Sequence, residues 1–170
     1  GYAGLNQNLV DPSVTSKFFK DSPKIFDFVK KFIRECDTGI HDIKIREREI
    51  EPGKIEFYPV FIHKIGGQEK TVSRLYESSG TKCLYNLLGL HKISLELGGV
   101  LCLDEFDINL HPDILPKLVE LYTNFEYNPN NAQFIFSTHN SEILDLLGRY
   151  RTYLVNKEDN ESYLYRLDEI

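Results

Sequence analysis

The stretch VLCLDEFDINLHP, residues 100–112, places four apolar residues directly before two adjacent carboxylates, Asp104 and Glu105. A short and continuously apolar run is typical of a strand buried inside a parallel sheet. In open α/β sheets, functional groups lie just beyond the carboxyl ends of the strands. Two carboxylates at such an edge repel each other unless a cation lies beside them, and hydrated Mg²⁺ binds oxygen ligands of this kind. The stretch alone leaves a structural alternative open, in which Asp104 caps the next turn and Glu105 is solvated.

The elements around this stretch predict an α/β unit. Strand, helix, strand, helix and strand over residues 100–156 make a βαβαβ layout, hence a parallel sheet with right-handed crossovers. The predicted elements are a helix over 80–97 with a bend near Gly89, a strand over 100–104, a helix over 113–125, a strand over 132–139, a helix over 141–148 capped by Ser141, and a closing hairpin of 152–157 with 162–167.

The first 70 residues predict a helix followed by a hairpin. Residues 1–22 are polar and are predicted as loop. A broad apolar face predicts a helix over 23–36, with Pro23 in its first turn and Asp21 or Ser22 as its cap. Alternating residues predict an antiparallel hairpin over 40–65, and GGQEK, residues 66–70, predicts a turn.

Composition limits the class of protein. The chain has 170 residues, a net charge of −6 and 41% hydrophobic residues, as expected of one globular domain. No apolar run approaches the roughly 20 residues of a membrane span, and no signal peptide is evident, so we expect no membrane partner. Three cysteines without metal spacing predict reduced thiols and a cytoplasmic location. The net charge disfavours a nucleic-acid groove over the whole surface and leaves a local patch open.

Two further segments carry candidate site residues. Ser78, Ser79 and Gly80 open directly onto a helix, where backbone N–H groups and hydroxyls can bind an anion. The alternative is a plain helix cap. The strand QFIFSTHN ends in His139, whose ring would lie near Asp104 and contact a phosphate oxygen or position a water molecule. The alternative is an ordinary surface histidine.

Taken in order, ESSGTK, DEFDINLHP and FSTHN over about residues 70–170 resemble the C-terminal half of an ABC-type P-loop ATPase. The resemblance is to the OLD/RecF/SMC-like group, including the AAA-type ATP-binding proteins of phage-defence systems. It implies a P-loop NTPase fold with an ABC-ATPase-like, mostly parallel sheet flanked by helices. Residues 1–69 would form a helical arm and β-hairpin segment, and residues 70–170 the C-terminal part of the ATPase domain.

The resemblance also implies a role for each candidate residue. Asp104 would be the Walker B aspartate, which orders Mg²⁺ through water, and Glu105 the general base. His139 would be the switch histidine that senses the γ-phosphate of ATP. The nucleotide-binding residues would be Ser78, Ser79 and Gly80 of the signature motif, which caps ATP held on a partner subunit, and Asn109 of the D-loop, residues 108–112.

Departures from the family pattern narrow this expectation. Glu77 stands where many transporters have Leu, Ser79 replaces the first signature Gly, and Phe106-Asp107 replaces Pro-Thr, which disfavours a transporter role. No GxxxxGK[ST] motif occurs in the sequence, which contains no Met and starts at Gly1. We therefore expect a fragment that lacks the Walker A half and binds ATP very weakly by itself.

The leading hypothesis is ATP binding and hydrolysis at composite sites of a head-to-tail homodimer, which drives or gates a separate effector protein. A second hypothesis is a Mg-dependent nuclease, and a third is a non-hydrolysing interaction module. The nuclease hypothesis would use as metal ligands Asp104, Glu105, Asp107, His111 and His139.

Overall fold

The computed structural model describes residues 11–36 and 39–170 of the chain. Its helices and strands, in chain order, are α1 (Pro12–Asp21), α2 (Pro23–Glu35), β1 (Ile40–Glu51), β2 (Lys54–Ile65), β3 (Gln68–Ser73), α3 (Ser79–Leu97), β4 (Val100–Leu103), α4 (Leu115–Thr123), β5 (Gln133–Phe136), α5 (Ile143–Leu147), β6 (Tyr153–Glu158) and β7 (Glu161–Arg166). Short 3₁₀ turns lie at Arg74–Tyr76, Pro112–Ile114 and Leu167–Glu169.

The loop predicted for residues 1–22 is wrong over Pro12–Asp21, which form α1, and residues 1–10 lie outside the described part. Asp11 caps this helix by accepting the Ser13 N–H at 2.8 Å, and Pro12 occupies its first turn. Ser16 is buried, and its hydroxyl is satisfied there because it donates to the Pro12 carbonyl at 2.7 Å. Small polar residues thus line a buried helix face, which hides the apolar periodicity from sequence reasoning.

The predicted helix over 23–36 is confirmed as α2, with Pro23 in its first turn. Ser22 occupies the N-cap position, although its side chain makes no capping hydrogen bond. The bend expected at Gly89 is replaced by a close packing contact within an uninterrupted α3. A Cβ atom on Gly89 would lie 2.7 Å from Cε1 of Phe19, so the missing side chain lets α1 pack against α3.

The predicted hairpin is confirmed as β1 and β2, and β3 extends it to a three-stranded antiparallel sheet. The turn predicted over 66–70 is limited to Gly66 and Gly67, and from Gln68 onward the chain pairs with β2. Both glycines have positive φ, 58° and 80°. Two such residues make a hairpin turn by themselves, so the residues after them are available for the strand.

Strands β4 and β5 are parallel neighbours, with Val100 opposite Gln133 and Leu103 opposite Phe136. The predicted closing hairpin is confirmed as β6 and β7. The βαβαβ layout is wrong at its third strand, because β6 lies in this separate two-stranded sheet and not beside β4 and β5. Among the described strands, parallel pairing is therefore found between β4 and β5. The helix predicted over 141–148 is α5, and Glu142 takes the N-cap position expected for Ser141.

One apolar core joins the helices to the three-stranded sheet and to the β4–β5 sheet. It contains Phe19 of α1, Ile33 of α2, Phe61 of β2 and Leu88 of α3, and it continues to Phe106 just beyond β4. None of the helices in the described ranges combines the length and apolar character that a membrane crossing requires. The core holds β4 and β5 against α3, and this packing places the ends of those strands and the start of α3 at the surface.

Candidate functional site

Ser137 connects the two parallel strands at the edge where Asp104 and Glu105 lie. Its hydroxyl donates to the Asp104 carboxylate and accepts the Glu105 N–H at 2.8 Å. Its backbone N–H donates to the Leu103 carbonyl at 3.1 Å, and its carbonyl accepts the Phe106 N–H at 3.2 Å. One residue after β5 therefore fixes four consecutive residues at the end of β4.

Glu105 and His139 lie together at this edge. His139 Nε2 is 3.4 Å from Glu105 Oε1, with the His139 side chain 87% exposed and the Glu105 side chain 47% exposed. Glu105 has φ of 47°, in the left-handed region that L-residues rarely adopt. Strained backbone of this kind persists where neighbouring contacts hold it, and such strain is concentrated at functional sites. The arrangement pairs a carboxylate with an imidazole, and both groups are accessible to water.

The N-terminus of α3 forms a second polar surface. Ser78 caps the helix by accepting the Thr81 N–H at 3.0 Å, and its hydroxyl lies 2.9 Å from Thr81 Oγ1. The first amides of a helix lack intrahelical acceptors, so those of Ser79 and Gly80 point out of the helix end. Ser79 is exposed. In a helix of 19 residues these amides and the helix dipole favour a bound anion.

The loop at residues 108–112 packs directly on this helix start. A Cβ atom on Gly80 would lie 2.9 Å from the Asn109 carbonyl oxygen, so glycine is needed for the close approach. Asn109 has φ of 68°, a conformation that Asn tolerates better than most residues. The two segments share an open cleft of about 740 Å³. Its lining residues are Cys36, Glu77, Ser78, Ser79, Gly80, Thr81, Asn109, Leu110, His111, Pro112, Asp113, Ile114 and Lys117.

The structure thus divides the candidate residues into two groups. Asp104, Glu105 and His139 meet around Ser137, at the ends of the two parallel strands. Ser78, Ser79, Gly80 and Asn109 meet at the cleft beside α3, and the cleft lining does not include a member of the first group. The residues of each group lie close together, and the two groups occupy different surfaces of the chain.

The oxygen ligands at the edge suit Mg²⁺. The carboxylate of Asp104 is exposed, and the Ser137 hydroxyl that holds it is exposed as well. Mg²⁺ is bound through one or two carboxylates, with water and substrate phosphates completing its ligands, so this donor set fits. Within residues 11–36 and 39–170, no three His, Cys, Asp or Glu side chains gather into a metal-binding group. His111, a ligand in the nuclease hypothesis, lines the cleft instead and accepts the Asp113 N–H at 3.3 Å.

Ser137 is a residue of this edge that sequence reasoning missed. The prediction for FSTHN rests on its histidine, although a hydroxyl follows β5 by one residue, just as Asp104 follows β4. With Leu103 opposite Phe136, the next residues on the two strands are neighbours. Alignment of the two strand ends would have identified the pair.

Comparison with known families identifies the chain. Residues 3–145 match the family described as "AAA domain, putative AbiEii toxin, Type IV TA system". The chain belongs to this AAA family. No curated protein sequence matches it.

Solved structures agree with this AAA assignment at the level of the fold. A structure from work on ATP-driven dimerisation and DNA-stimulated activation of SMC ATPases matches at a TM-score of 0.57 and 15% identity, covering 89% of this chain and 88% of that one. An SMC head bound to the C-terminal winged-helix domain of ScpA matches at 0.50 and 14% identity, covering 96% of this chain. The chain spans 50% of the length of that second structure. The predicted α/β fold of the P-loop NTPase type is thereby confirmed, and the family match agrees with the predicted AAA-type protein.

Proposed function

We propose that this AAA-family domain contributes the signature, Walker B, D-loop and switch elements of an ATPase that hydrolyses Mg²⁺-ATP at sites shared by two copies. The observation that carries the proposal is the separation of an acidic edge, with Asp104, Glu105 and His139, from an anion-binding cleft, with Ser78–Gly80. A site built between two copies requires both surfaces, each presented outward. In this proposal residues 70–170 are the ATPase part and residues 1–69 an arm segment.

At the acidic edge, Glu105 would act as the general base. Its carboxylate accepts a proton from a water molecule as the water oxygen attacks the γ-phosphorus of ATP. The bond from that phosphorus to the β–γ bridging oxygen breaks, and ADP and phosphate leave. His139 donates a hydrogen bond to a γ-phosphate oxygen. Asp104 would hold Mg²⁺, which would supply charge neutralisation at the phosphates when it is bound.

At the cleft, the amides of Ser79 and Gly80 would cap the γ-phosphate of ATP held by the second copy. Asn109 would cross the interface, so that the loop packed on Gly80 connects the two sites of a head-to-tail homodimer. The 170 residues contain no GxxxxGK[ST], and in this proposal a separate segment supplies the triphosphate cradle. In the intact assembly, hydrolysis would drive or gate a separate effector protein.

ATP hydrolysis by the full-length gene product tests the proposal. Glu105→Gln should lower kcat by about 100-fold or more, because it removes the proton acceptor. Asp107→Asn, a matched change two residues away, should leave kcat within about twofold, since surface changes away from the chemistry have small effects. Equal ATP hydrolysis by Glu105→Gln and wild type would contradict the role of Glu105. Absence of hydrolysis in the wild type, with cellular activity that Glu105→Gln leaves unchanged, would favour the non-hydrolysing interaction module. Plasmid cleavage with Mg²⁺ that is lost in Asp104→Ala would favour the nuclease.

A further inference from the structure

Glu77 is a departure from the transporter signature that the proposed function leaves unexplained. It places a carboxylate immediately before the capping residue Ser78, where many transporters have Leu. The Glu77 side chain is only 6% exposed. A carboxylate withdrawn from water to this extent needs a hydrogen-bonding partner, because burial otherwise disfavours its charged form.

His63 of β2 is that partner. Its Nε2–H donates to Glu77 Oε1 at 2.6 Å, and the His63 side chain is itself only 20% exposed. β2 is the central strand of the three-stranded sheet, and at this position it is paired on both sides, with Ile40 of β1 and Lys70 of β3. The imidazole therefore projects from a backbone that two neighbouring strands hold in place.

The chain from Glu77 into α3 is short and continuous. The Glu77 N–H donates to the Arg74 carbonyl at 3.2 Å, which fixes the turn before it. The next residue, Ser78, caps α3 through its bond to the Thr81 N–H. A displacement of the Glu77 side chain would accordingly change the direction of the helix start and of the amides of Ser79 and Gly80.

We propose that His63 is a positioning residue for the signature segment. Its hydrogen bond to Glu77 holds Ser78–Gly80 in the orientation that contacts the γ-phosphate bound by the second copy. The identity of that phosphate rests on the proposed function, whereas the link between β2 and α3 does not. A force applied to the three-stranded sheet by a partner would reach the signature segment through this pair.

The link is tested first in the 170-residue chain by amide hydrogen exchange at Thr81, whose N–H reports on the Ser78 cap. His63→Ala should speed this exchange about fivefold, because one buried hydrogen bond to a charged group is lost. His63→Gln, whose side-chain amide can donate in place of Nε2, should restore the wild-type rate. The matched control is His41→Ala on β1, whose ring is 48% exposed and 4.0 Å from Glu69 Oε1. Exchange in His63→Ala that equals the rate in wild type or in the His41 control would overturn the link.

The functional consequence is tested by ATP hydrolysis in the full-length gene product. His63→Ala should lower kcat about 10-fold with KM for ATP within about twofold, because the signature contacts the phosphate only in the assembled site. His63→Gln should recover kcat, which a general loss of folded protein would not allow. Hydrolysis that is insensitive to His63→Ala would overturn the positioning role. No hydrolysis in wild type, combined with faster Thr81 exchange in His63→Ala, would refute the proposed function and leave the link in place.

Discussion

The amide of Glu105 donates to the hydroxyl of Ser137 at 2.8 Å, so a residue at the end of β5 holds the carboxylate pair at the end of β4. The same hydroxyl donates to Asp104. Ser137 is therefore the structural centre of the acidic edge, although it is neither an acid nor a base.

Replacement of Ser137 by alanine should lower the free energy of unfolding of the 170-residue chain by about 1–2 kcal/mol, since two hydrogen bonds are lost and one involves a charged group. Urea denaturation followed by circular dichroism measures this difference. Ser141→Ala, an exposed serine in the segment after His139, should change the free energy by less than about 0.5 kcal/mol. A Ser137→Ala variant as stable as the Ser141→Ala control would show that the hydrogen bonds of the Ser137 hydroxyl do not contribute to stability.

The left-handed backbone of Glu105 predicts a reversal of the usual order of alanine and glycine. Alanine normally stabilises relative to glycine, by about 0.4–1 kcal/mol, because it restricts the unfolded chain. At φ of 47° the Cβ atom is strained, so Glu105→Gly should be more stable than Glu105→Ala by about 1 kcal/mol.

The matched pair is Asp107→Gly and Asp107→Ala, since Asp107 is not among the positive-φ residues of the described chain. There alanine should be the more stable variant. If alanine were also preferred at Glu105, the left-handed conformation would be wrong. All four variants can be compared in one series of denaturation curves.

His91 predicts how stability depends on pH. Its ring is 1% exposed, packs edge-on against Phe134 at 5.0 Å between ring centroids, and lies 3.1 Å from the Tyr122 hydroxyl through Nδ1. Burial lowers the pKa of His91 from 6.5 to about 3. The unfolded chain therefore binds a proton below pH 6.5 that the folded chain does not. This contribution to stability is complete above pH 6.5 and is lost as the pH falls towards 3.

Between pH 7 and pH 5, protonation of His91 in the unfolded chain should lower the unfolding free energy by about 2 kcal/mol. His91→Gln removes the titrating group, so its stability should fall less over this range by that amount. The control variant His41→Ala, at an exposed position, should lose as much unfolding free energy between pH 7 and pH 5 as the wild type. If His91→Gln and wild type lost the same unfolding free energy between pH 7 and pH 5, His91 would be protonated in the folded chain as well.

The sequence predicts those elements whose signals lie within their own segment. Pro23 with its apolar face predicted α2, and Gly98 predicted the end of α3, where it adopts the left-handed C-cap conformation. The apolar runs before Asp104 and His139 predicted two parallel strands whose ends meet.

The failures involve information that one segment does not contain. The inner face of α1 combines Phe19 with the buried Ser16, whose hydroxyl bonds to Pro12 and Tyr85, so its apolar pattern is interrupted. The role of Ser137 depends on the register between two strands separated by more than 30 residues. The sequence predicts the hairpin of β6 with β7, but the separation of this hairpin from the β4–β5 sheet depends on tertiary packing, which a strand pattern does not specify.

Sedimentation velocity of the full-length Glu105→Gln variant tests whether two copies form a composite ATP site. With Mg²⁺-ATP we expect a dimer, because ATP still binds while its hydrolysis is blocked, and with ADP we expect a monomer. Adding Ser79→Arg should abolish the dimer by filling the anion-binding end of α3, whereas adding Ser141→Arg should not. A sedimenting mass that ATP does not change, or a dimer that survives Ser79→Arg, would contradict the composite site.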